Sequence, residues 1–282
     1  MRKFLSLFLA LAMSIACCTL AAAEDTAEAM QYTEENITID AGDHQIPATL
    51  TVPVVAEGEK FPAVVMLHGN GSTRHEAGNA YDYAALAMAK AGIATIRFDY
   101  IGNGDSTSDY IDFTYDKGVE DAMKCYEYLK TLGTIDMDHV GVMGWSQGGT
   151  DALLCAARAA DVFTSVVTWA GAPDLSDMLT DELYEQAKAN GYFVMDFDWR
   201  EPLNVSLQWC EDVKNTDVLG EFEAGYTGPV LAIAGKEDTT VDPEWSNKIV
   251  AASKNPASKT CFIEGMDHTF NVFAEEDLHS LY

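Results

Sequence analysis

The chain has 282 residues, with 17 Lys or Arg against 45 Asp or Glu, and a formal net charge of −28 at pH 7. A surface this acidic repels phosphate backbones and anionic lipids, so nucleic-acid binding is not expected. The length suits one domain with a large core.

The first 23 residues are typical of a secretory signal peptide. Two basic residues precede an apolar run from Phe4 to Ala16, and small residues end at Ala23, where cleavage is expected. The apolar run is too short for a stable membrane span. The sequence therefore predicts a secreted or periplasmic protein, with one domain over residues 24–282. A lipid anchor on Cys17 is the alternative.

The rest of the chain alternates between strand and helix patterns. Apolar runs bounded by turn residues predict strands at 36–40, 46–52, 61–67, 93–99, 140–143, 165–170, 229–234 and 259–263. Helical spacing predicts helices at 81–91, 117–132, 147–160 and 245–253. The first two strands are expected to pair antiparallel. The later alternation predicts an α/β fold, with a mostly parallel eight-stranded sheet and helices on both faces.

One segment, residues 174–217, is longer than a single crossover needs. It contains a helical pattern at 179–190, an alternating aromatic run at 192–199 and a possible hairpin partner at 203–207. A long insertion in a compact domain is usually functional or disordered, and this one is too aromatic to be disordered. We interpret it as a cap inserted over the active site.

Four cysteines follow the predicted leader: Cys125, Cys155, Cys210 and Cys261. They are widely spaced and include no C-x-x-C pair, which argues against a metal site. Export permits disulfides, but three of the four fall in helix or strand patterns, so we expect buried free thiols. Neither a metal nor an organic cofactor is expected.

The most informative motif is GWSQGG at Gly144–Gly149, between a predicted strand and a predicted helix. The pattern G-x-S-x-G at such a junction is typical of a nucleophile elbow, a strained turn that presents a serine to a base. A Cβ at Gly144 or Gly148 is expected to collide with the neighbouring strand or helix. Ser146 is therefore the predicted nucleophile. The alternative is a glycine-rich loop that only joins the two elements.

A serine nucleophile needs an imidazole base, and His268 has the required position. It lies in residues 264–270, just past the last predicted strand, and active sites of such sheets lie at the carboxyl ends of the strands. The other histidines stand in turns or loops, near the terminus or at the opposite end of the sheet: His44, His68, His75, His139 and His279. Because His268 must be neutral to act, activity is expected to fall on acidification.

The carboxylate that orients the base is expected in residues 235–242, after the strand at 229–234. Asp238 is the first choice, with Asp242 second and Glu237 third. Asp242 is expected to cap the helix that follows, since it precedes Pro243. Asp267 adjoins His268, but adjacent side chains rarely face each other.

Attack on an ester carbonyl creates an oxyanion, which needs backbone N–H donors. One donor is expected from Gln147, the residue after the nucleophile, and the other from Asn70 in the loop after the strand at 61–67. Gly69 and Gly71 would let the backbone approach closely. His68 is interpreted as a support for this loop.

These motifs, in this order, resemble the α/β-hydrolase superfamily. The segments 67–71, 98–106, 144–149, 235–241 and 267–270 are most similar to bacterial cinnamoyl and feruloyl esterases and their prolyl-oligopeptidase-like relatives. The resemblance implies the α/β-hydrolase fold, the triad Ser146, Asp238 and His268, and a cap that binds an aromatic acyl group. Aromatic side chains stand in the corresponding segment: Tyr192, Phe193, Phe197 and Trp199. It also implies a closing helix, which would be short here.

The resemblance implies a secreted serine carboxylesterase that acts through an acyl-enzyme on small-molecule or polysaccharide-linked esters. Feruloyl or cinnamoyl esters of plant cell wall are the expected substrates. A short-chain acyl or acetyl esterase and a serine peptidase are alternatives. A non-catalytic binding protein on a hydrolase fold is the alternative from another class, and the filled catalytic positions argue against it.

Overall fold

The computed structural model describes residues 30–54, 56 and 58–273. The predicted signal peptide, residues 1–23, lies outside these residues. So does the segment after Phe273, in which the resemblance implies a closing helix.

Eight strands of the described residues form one sheet with the spatial order β1-β2-β4-β3-β5-β6-β9-β10. β1 and β2 are antiparallel to each other, and β2 is antiparallel to β4, whereas the remaining neighbours are parallel. The strands are β1 (Tyr32–Asp40), β2 (Gln45–Pro53), β3 (Phe61–Leu67), β4 (Ala94–Phe98), β5 (Ile135–Trp145), β6 (Ser165–Trp169), β9 (Val230–Gly235) and β10 (Lys259–Ile263). The predicted sheet is confirmed.

Seven α-helices lie within the described residues, and most begin at a side chain that accepts a backbone N–H. Thr114, Thr180, Ser206 and Asp217 cap four of them in this way. The helices are α1 (Ala80–Lys90), α2 (Tyr115–Thr131), α3 (Gln147–Arg158), α4 (Asp181–Asn190), α5 (Leu207–Asn215), α6 (Val218–Gly225) and α7 (Glu244–Ala252). α5 and α6 were not among the predicted helices.

Helices cover both faces of the sheet, because successive side chains of β3 pack against different helices. Val65 and Leu67 belong to the large core cluster that includes Leu153 of α3, whereas Met66 packs in a second cluster with Tyr81 of α1. Successive side chains of a strand point to opposite faces, so the two clusters lie on opposite sides. None of the described helices is long and apolar enough to cross a membrane.

The chain order reverses around β3, because β4 pairs on one side of it and β5 on the other. In open α/β sheets, ligands bind outside the carboxyl ends of the strands at such a switch point. The loop after Leu67 of β3 and the elbow after Trp145 of β5 are therefore neighbours by topology, and Leu67 pairs with Gly144.

Residues between β6 and α6 fold into α4, a two-stranded antiparallel sheet and α5. This segment, residues 176–215, is called the insertion below. Its strands are β7 (Tyr192–Met195) and β8 (Leu203–Ser206). The alternating run at 192–199 resembles a strand over its whole length, but the strand ends at Met195, which pairs with Leu203, and the residues between them form the connecting loop.

Two other predictions need correction. β5 begins at Ile135 rather than at residue 140, because Ile135 pairs with Phe61 before the register shifts. All four described cysteines are free, but Cys261 is exposed whereas the other three are buried. Cys261 lies on β10, the last strand of the sheet order, where burial alternates along the strand.

Candidate active site

The elbow places Ser146 between β5 and α3 with a backbone φ of 53° and ψ of −120°. A non-glycine residue with such a positive φ is strained, as expected for a nucleophile elbow. A Cβ on Gly144 would run into the carbonyl of Gly148, and one on Gly148 into the carbonyl of Leu67. Both glycines are therefore required by close backbone contact. Ser146 is partly exposed, whereas its neighbours from residue 140 to 156 are buried.

Asp238 and His268 meet at the carboxyl end of the sheet. The Nδ1 atom of His268 lies 2.8 Å from Oδ2 of Asp238, whose side chain is fully buried. The other oxygen of Asp238 accepts the backbone N–H groups of Thr240 and Val241, each at 2.9 Å. Since Asp238 accepts in this contact, Nδ1 of His268 is the donor and Nε2 is the ring nitrogen left to act as a base.

The alternative carboxylates have other contacts. Oδ1 of Asp242 accepts the N–H of Glu244 at 2.9 Å, at the start of α7, as expected of a capping residue. Glu237 is exposed. Asp267 accepts the backbone N–H groups of Thr269 and Asn271 in its own turn. Of the four acidic side chains considered, Asp238 is the one that the structure brings to His268.

The loop that carries His268 is held against the elbow by Trp145. The Nε1–H group of Trp145 donates to the backbone carbonyl of His268 at 3.2 Å. The ring of Phe270 packs edge-to-face on Trp145 with centroids 5.5 Å apart. Because Trp145 directly precedes Ser146, its side chain ties the backbone that carries the imidazole to the elbow that carries the hydroxyl. No hydrogen bond joins Oγ of Ser146 to His268 among the described residues, and in unliganded hydrolases this bond often forms only with substrate.

The expected oxyanion donors are Asn70, in the loop beside the elbow, and Gln147, within the elbow itself. Gly69 sits against the elbow: a Cβ built on it would lie 3.4 Å from Cβ of Ser146. Asn70 is the next residue, and no hydrogen bond of the described residues uses its N–H. Gln147 is the first residue of α3, so its N–H has no partner within the helix.

His68 is buried beneath this loop and supports it. Its Nδ1 lies 2.8 Å from the carbonyl of Gly69, and its Nε2 accepts the N–H of Tyr100 at 3.1 Å. Burial lowers the pKa of His68 to about 4. The ring is therefore neutral near pH 7, with Nδ1–H as the donor.

The insertion lies on the outer side of the same loop. The ring of Phe197 covers Gly71, leaving no room for a side chain there. Nη1 of Arg200 donates to the carbonyl of Gly71 at 2.8 Å and to Oδ1 of Asn103 at 2.6 Å. Nδ2 of Asn70 lies 3.2 Å from Sδ of Met195. The oxyanion loop is thus held between the elbow and the insertion.

Sequence reasoning missed two side chains here, Glu76 and Arg200. The carboxylate of Glu76 accepts the N–H of Gly69, the hydroxyl of Ser72 at 2.8 Å and the N–H of Ala77 at 3.0 Å. Burial raises its pKa, whereas the hydrogen bonds from Gly69, Ser72 and Ala77 act in the opposite direction. Neither residue belongs to a short motif, so no pattern in the sequence marks them.

Two cavities lie near the insertion. The larger, of about 470 Å³, is lined by residues 173–176, by parts of α5 and α6 and by Trp245, and the smaller, of about 230 Å³, lies between residues 108–111 and 202–204. Neither is lined by Ser146, Asp238 or His268. The described residues include no cluster of three or more His, Cys, Asp or Glu side chains suited to a metal ion.

The sequence pattern of the prolyl oligopeptidase family matches residues 79–276. The chain belongs to the prolyl oligopeptidase family. This match covers the elbow, the Asp238 turn and the histidine loop, and it supports a hydrolase of the esterase or peptidase type.

Curated relatives match over part of their length. A Mycobacterium tuberculosis protein named "Putative phosphoribosyl transferase Rv0571c" is 30% identical over 156 residues, which are 55% of this chain and 34% of that protein. A Nocardia uniformis protein named "Putative esterase NocK" is 31% identical over 131 residues, covering 45% of this chain and 37% of that protein. The chain thus matches about a third of the length of these two relatives.

Solved structures share the fold along most of the chain. Est1E from Butyrivibrio proteoclasticus, solved with ferulic acid bound, aligns with a TM-score of 0.68 and 24% identity, over 83% of this chain and 92% of that chain. At this identity the likeness establishes the α/β-hydrolase fold.

Proposed function

We propose that this protein is a serine carboxylesterase in which Ser146, Asp238 and His268 form the catalytic triad. The observation that carries the proposal is the 2.8 Å contact between Nδ1 of His268 and Oδ2 of Asp238. It lies at the sheet end where the strained Ser146 turn is attached to the histidine loop through Trp145.

The chemistry follows from this arrangement. Nε2 of His268 takes the proton of Ser146 as Oγ attacks the ester carbonyl, and Asp238 stabilises the imidazolium that forms. The N–H groups of Asn70 and Gln147 stabilise the oxyanion. The imidazolium then protonates the departing alkoxide, which leaves an acyl-enzyme. A water molecule, deprotonated by the same nitrogen, releases the acid and restores Ser146.

We propose esters of aromatic acids, such as feruloyl esters, as the substrates. The insertion brings Phe197 against the oxyanion loop, and Trp199 packs edge-to-face on Phe197 with 70% of its surface exposed. These rings offer an aromatic surface beside the candidate site. The ferulic acid bound to Est1E, which has the same fold, is consistent with this substrate class.

A peptidase is the second candidate, because the family is named for an oligopeptidase. Ester and peptide hydrolysis by a serine triad share the acyl-enzyme, so the triad geometry does not separate them. The two activities can be separated by comparing kcat/KM for four substrates: ethyl ferulate, p-nitrophenyl acetate, p-nitrophenyl octanoate and a chromogenic dipeptide. Ethyl ferulate is expected to give the highest value, and a preference for the dipeptide would favour the peptidase.

The serine mechanism is tested by labelling with a fluorophosphonate probe. Wild-type protein is expected to label, and Ser146→Ala is expected not to. If folded wild-type protein does not label, the proposal is wrong and a binding protein on a hydrolase fold is favoured.

We further propose that the protein is secreted or periplasmic, because residues 1–23 have the pattern of a signal peptide. The N-terminus of protein purified from its host should begin at Glu24. A lipid-modified Cys17 at the N-terminus would instead identify a membrane-anchored form.

A further inference from the structure

Glu76 contacts the loop after β3 at Gly69, next to the elbow. One of its carboxylate oxygens accepts the N–H of Gly69, and the other accepts the hydroxyl of Ser72 and the N–H of Ala77. The first contact fixes the residue directly before Asn70, the expected oxyanion donor. The second and third keep the carboxylate itself in one orientation.

The backbone of Glu76 is strained in a way that serves these contacts. Its φ is 60° and its ψ is 178°, a combination found mainly in glycine. Strain of this kind costs of order 1–3 kcal/mol and persists only where the surroundings enforce it. Here it turns the side chain back toward its own loop, so that one carboxylate meets donors at residues 69, 72 and 77.

Gly69 is confined between Glu76 and the elbow. A Cβ built on Gly69 would lie 3.2 Å from Oε1 of Glu76 and 3.4 Å from Cβ of Ser146. The carboxylate, the glycine backbone and the nucleophile are thus stacked in contact. A shift of the glycine by a fraction of an ångström would move the Asn70 N–H relative to the reacting carbonyl.

The charge of Glu76 has no cationic partner at ion-pair distance among the described residues. Its hydrogen bonds are all to neutral donors: two backbone N–H groups and one hydroxyl. The contact with the Gly69 N–H is therefore one of three hydrogen bonds that together fix the Glu76 carboxyl group.

We propose that Glu76 is a positioning residue, which holds the Gly69–Asn70 peptide beside Ser146 so that the Asn70 N–H can bind the oxyanion. The inference rests on the proposed esterase function. Glu76 acts through the loop and does not itself touch the substrate. Loss of Glu76 should therefore destabilise the transition state, in which the oxyanion forms, and leave substrate binding nearly unchanged.

The test compares Glu76→Ala and Glu76→Gln with Glu223→Gln, which removes an exposed carboxylate on α6. Loss of an oxyanion donor lowers kcat by about 100-fold to 1000-fold, and misplacement of one by Glu76→Ala is expected to lower it by about 100-fold. KM should change by less than about threefold. Glu76→Gln should recover part of kcat, since its carbonyl oxygen can accept the Gly69 N–H. Glu223→Gln should match wild type.

Two further measurements separate positioning from a structural effect. Inhibition by a trifluoromethyl ketone, whose adduct with a serine carries an oxyanion, should weaken in parallel with kcat in Glu76→Ala. Amide hydrogen exchange at residues 68–71 should speed up in the same variant. Equal losses of kcat in Glu76→Ala and Glu76→Gln, or a change in KM with kcat intact, would overturn the proposal.

The outcomes also distinguish this inference from the proposed function. If wild-type protein hydrolyses esters and Glu76→Ala does so equally well, the function stands and the role of Glu76 is refuted. If wild-type protein neither hydrolyses esters nor labels, the esterase proposal and the catalytic role of Glu76 are both refuted. Hydrogen exchange then still reports whether Glu76 holds the loop.

Discussion

The elbow, Gly144–Gly149, and the histidine loop, Glu264–Asn271, each present one side chain of the candidate triad, but they are held by different means. Backbone contacts fix the elbow, where a Cβ on Gly144 or Gly148 would meet a carbonyl. The histidine loop accepts a backbone hydrogen bond from the Glu237 N–H at the Met266 carbonyl, and it is held further by side-chain hydrogen bonds of Asp238, Trp145 and Asp267. The steric requirement at the elbow can be recognised as a short glycine motif in the sequence. The side chains that hold the histidine loop come from distant segments and form no such motif.

Removal of the nucleophile should give the largest effect and separate the chemistry of the elbow from its shape. Ser146→Ala is expected to lower kcat by about 10⁶-fold, because the acyl-enzyme cannot form. The free energy of unfolding should stay within about 0.5 kcal/mol of wild type, since the glycine contacts are untouched. Ester hydrolysis and urea unfolding measure the two quantities. Residual activity above about 1% would exclude Ser146 as the nucleophile.

The histidine loop is tested by Asp238→Asn, which keeps the shape of the side chain. An amide in place of the carboxylate favours the wrong tautomer of His268, and kcat is expected to fall by about 10⁴-fold. Asp242→Asn is the matched control, because the Asp242 side chain caps α7. Steady-state kinetics on both variants decide the assignment, and a larger loss in Asp242→Asn would exchange the two roles.

Glycine substitutions compare the two regions directly. Gly144→Ala places a methyl group against the Gly148 carbonyl and is expected to lower the free energy of unfolding by about 3 kcal/mol. A Cβ on Gly265, in the histidine loop, meets no atom within 4 Å. Gly265→Ala should therefore lower the free energy of unfolding by only about 1 kcal/mol, because of the positive φ of 72° at this position. Denaturant unfolding gives both values. Equal costs would show that backbone packing does not distinguish the regions.

A smaller effect is expected from Asp151, which is buried in α3 one turn past the elbow. Burial raises the pKa of Asp151 to about 8, whereas an unfolded chain has a carboxyl pKa of about 4. The native state therefore binds the extra proton between about pH 4 and pH 8, and the free energy of unfolding falls as pH rises through that window.

Asp151→Asn removes this dependence. Between pH 5 and pH 8, the free energy of unfolding measured in urea should fall by at least about 1 kcal/mol more for wild type than for the variant. Some pH dependence should remain, because burial also raises the pKa of Asp121 to about 7. Parallel pH profiles for the two proteins would contradict an elevated pKa at Asp151.

The sheet could be predicted because each strand carries its own signal. Apolar runs such as Val64–Leu67 alternate with helical patterns, and the order of these elements nearly determines an α/β sheet. The elbow could be predicted for the same reason, because its G-x-S-x-G motif is a short local pattern. The positions of Asp238 and His268 followed from the rule that sites lie at carboxyl strand ends, without any motif of their own.

What the sequence did not reveal depends on contacts between distant residues. Arg200 bonds to Gly71 and Asn103, and no pattern around residue 200 indicates those partners. The early end of β7 depends on which residue pairs with Met195, and the exposure of Cys261 depends on the place of β10 in the sheet order. Each is a property of tertiary arrangement, which local propensity does not encode.

The exposed ring of Trp199 gives the insertion a spectroscopic signature of its own. Trp145 and Trp209 are buried and Trp199 is 70% exposed, so a neutral quencher dissolved in water should reach its indole far more readily. Trp169 and Trp245 are partly buried, so the emission that acrylamide removes most readily reports mainly on the insertion. A ligand that settles against Phe197 would shield the accessible fraction, and its binding could be followed without any turnover.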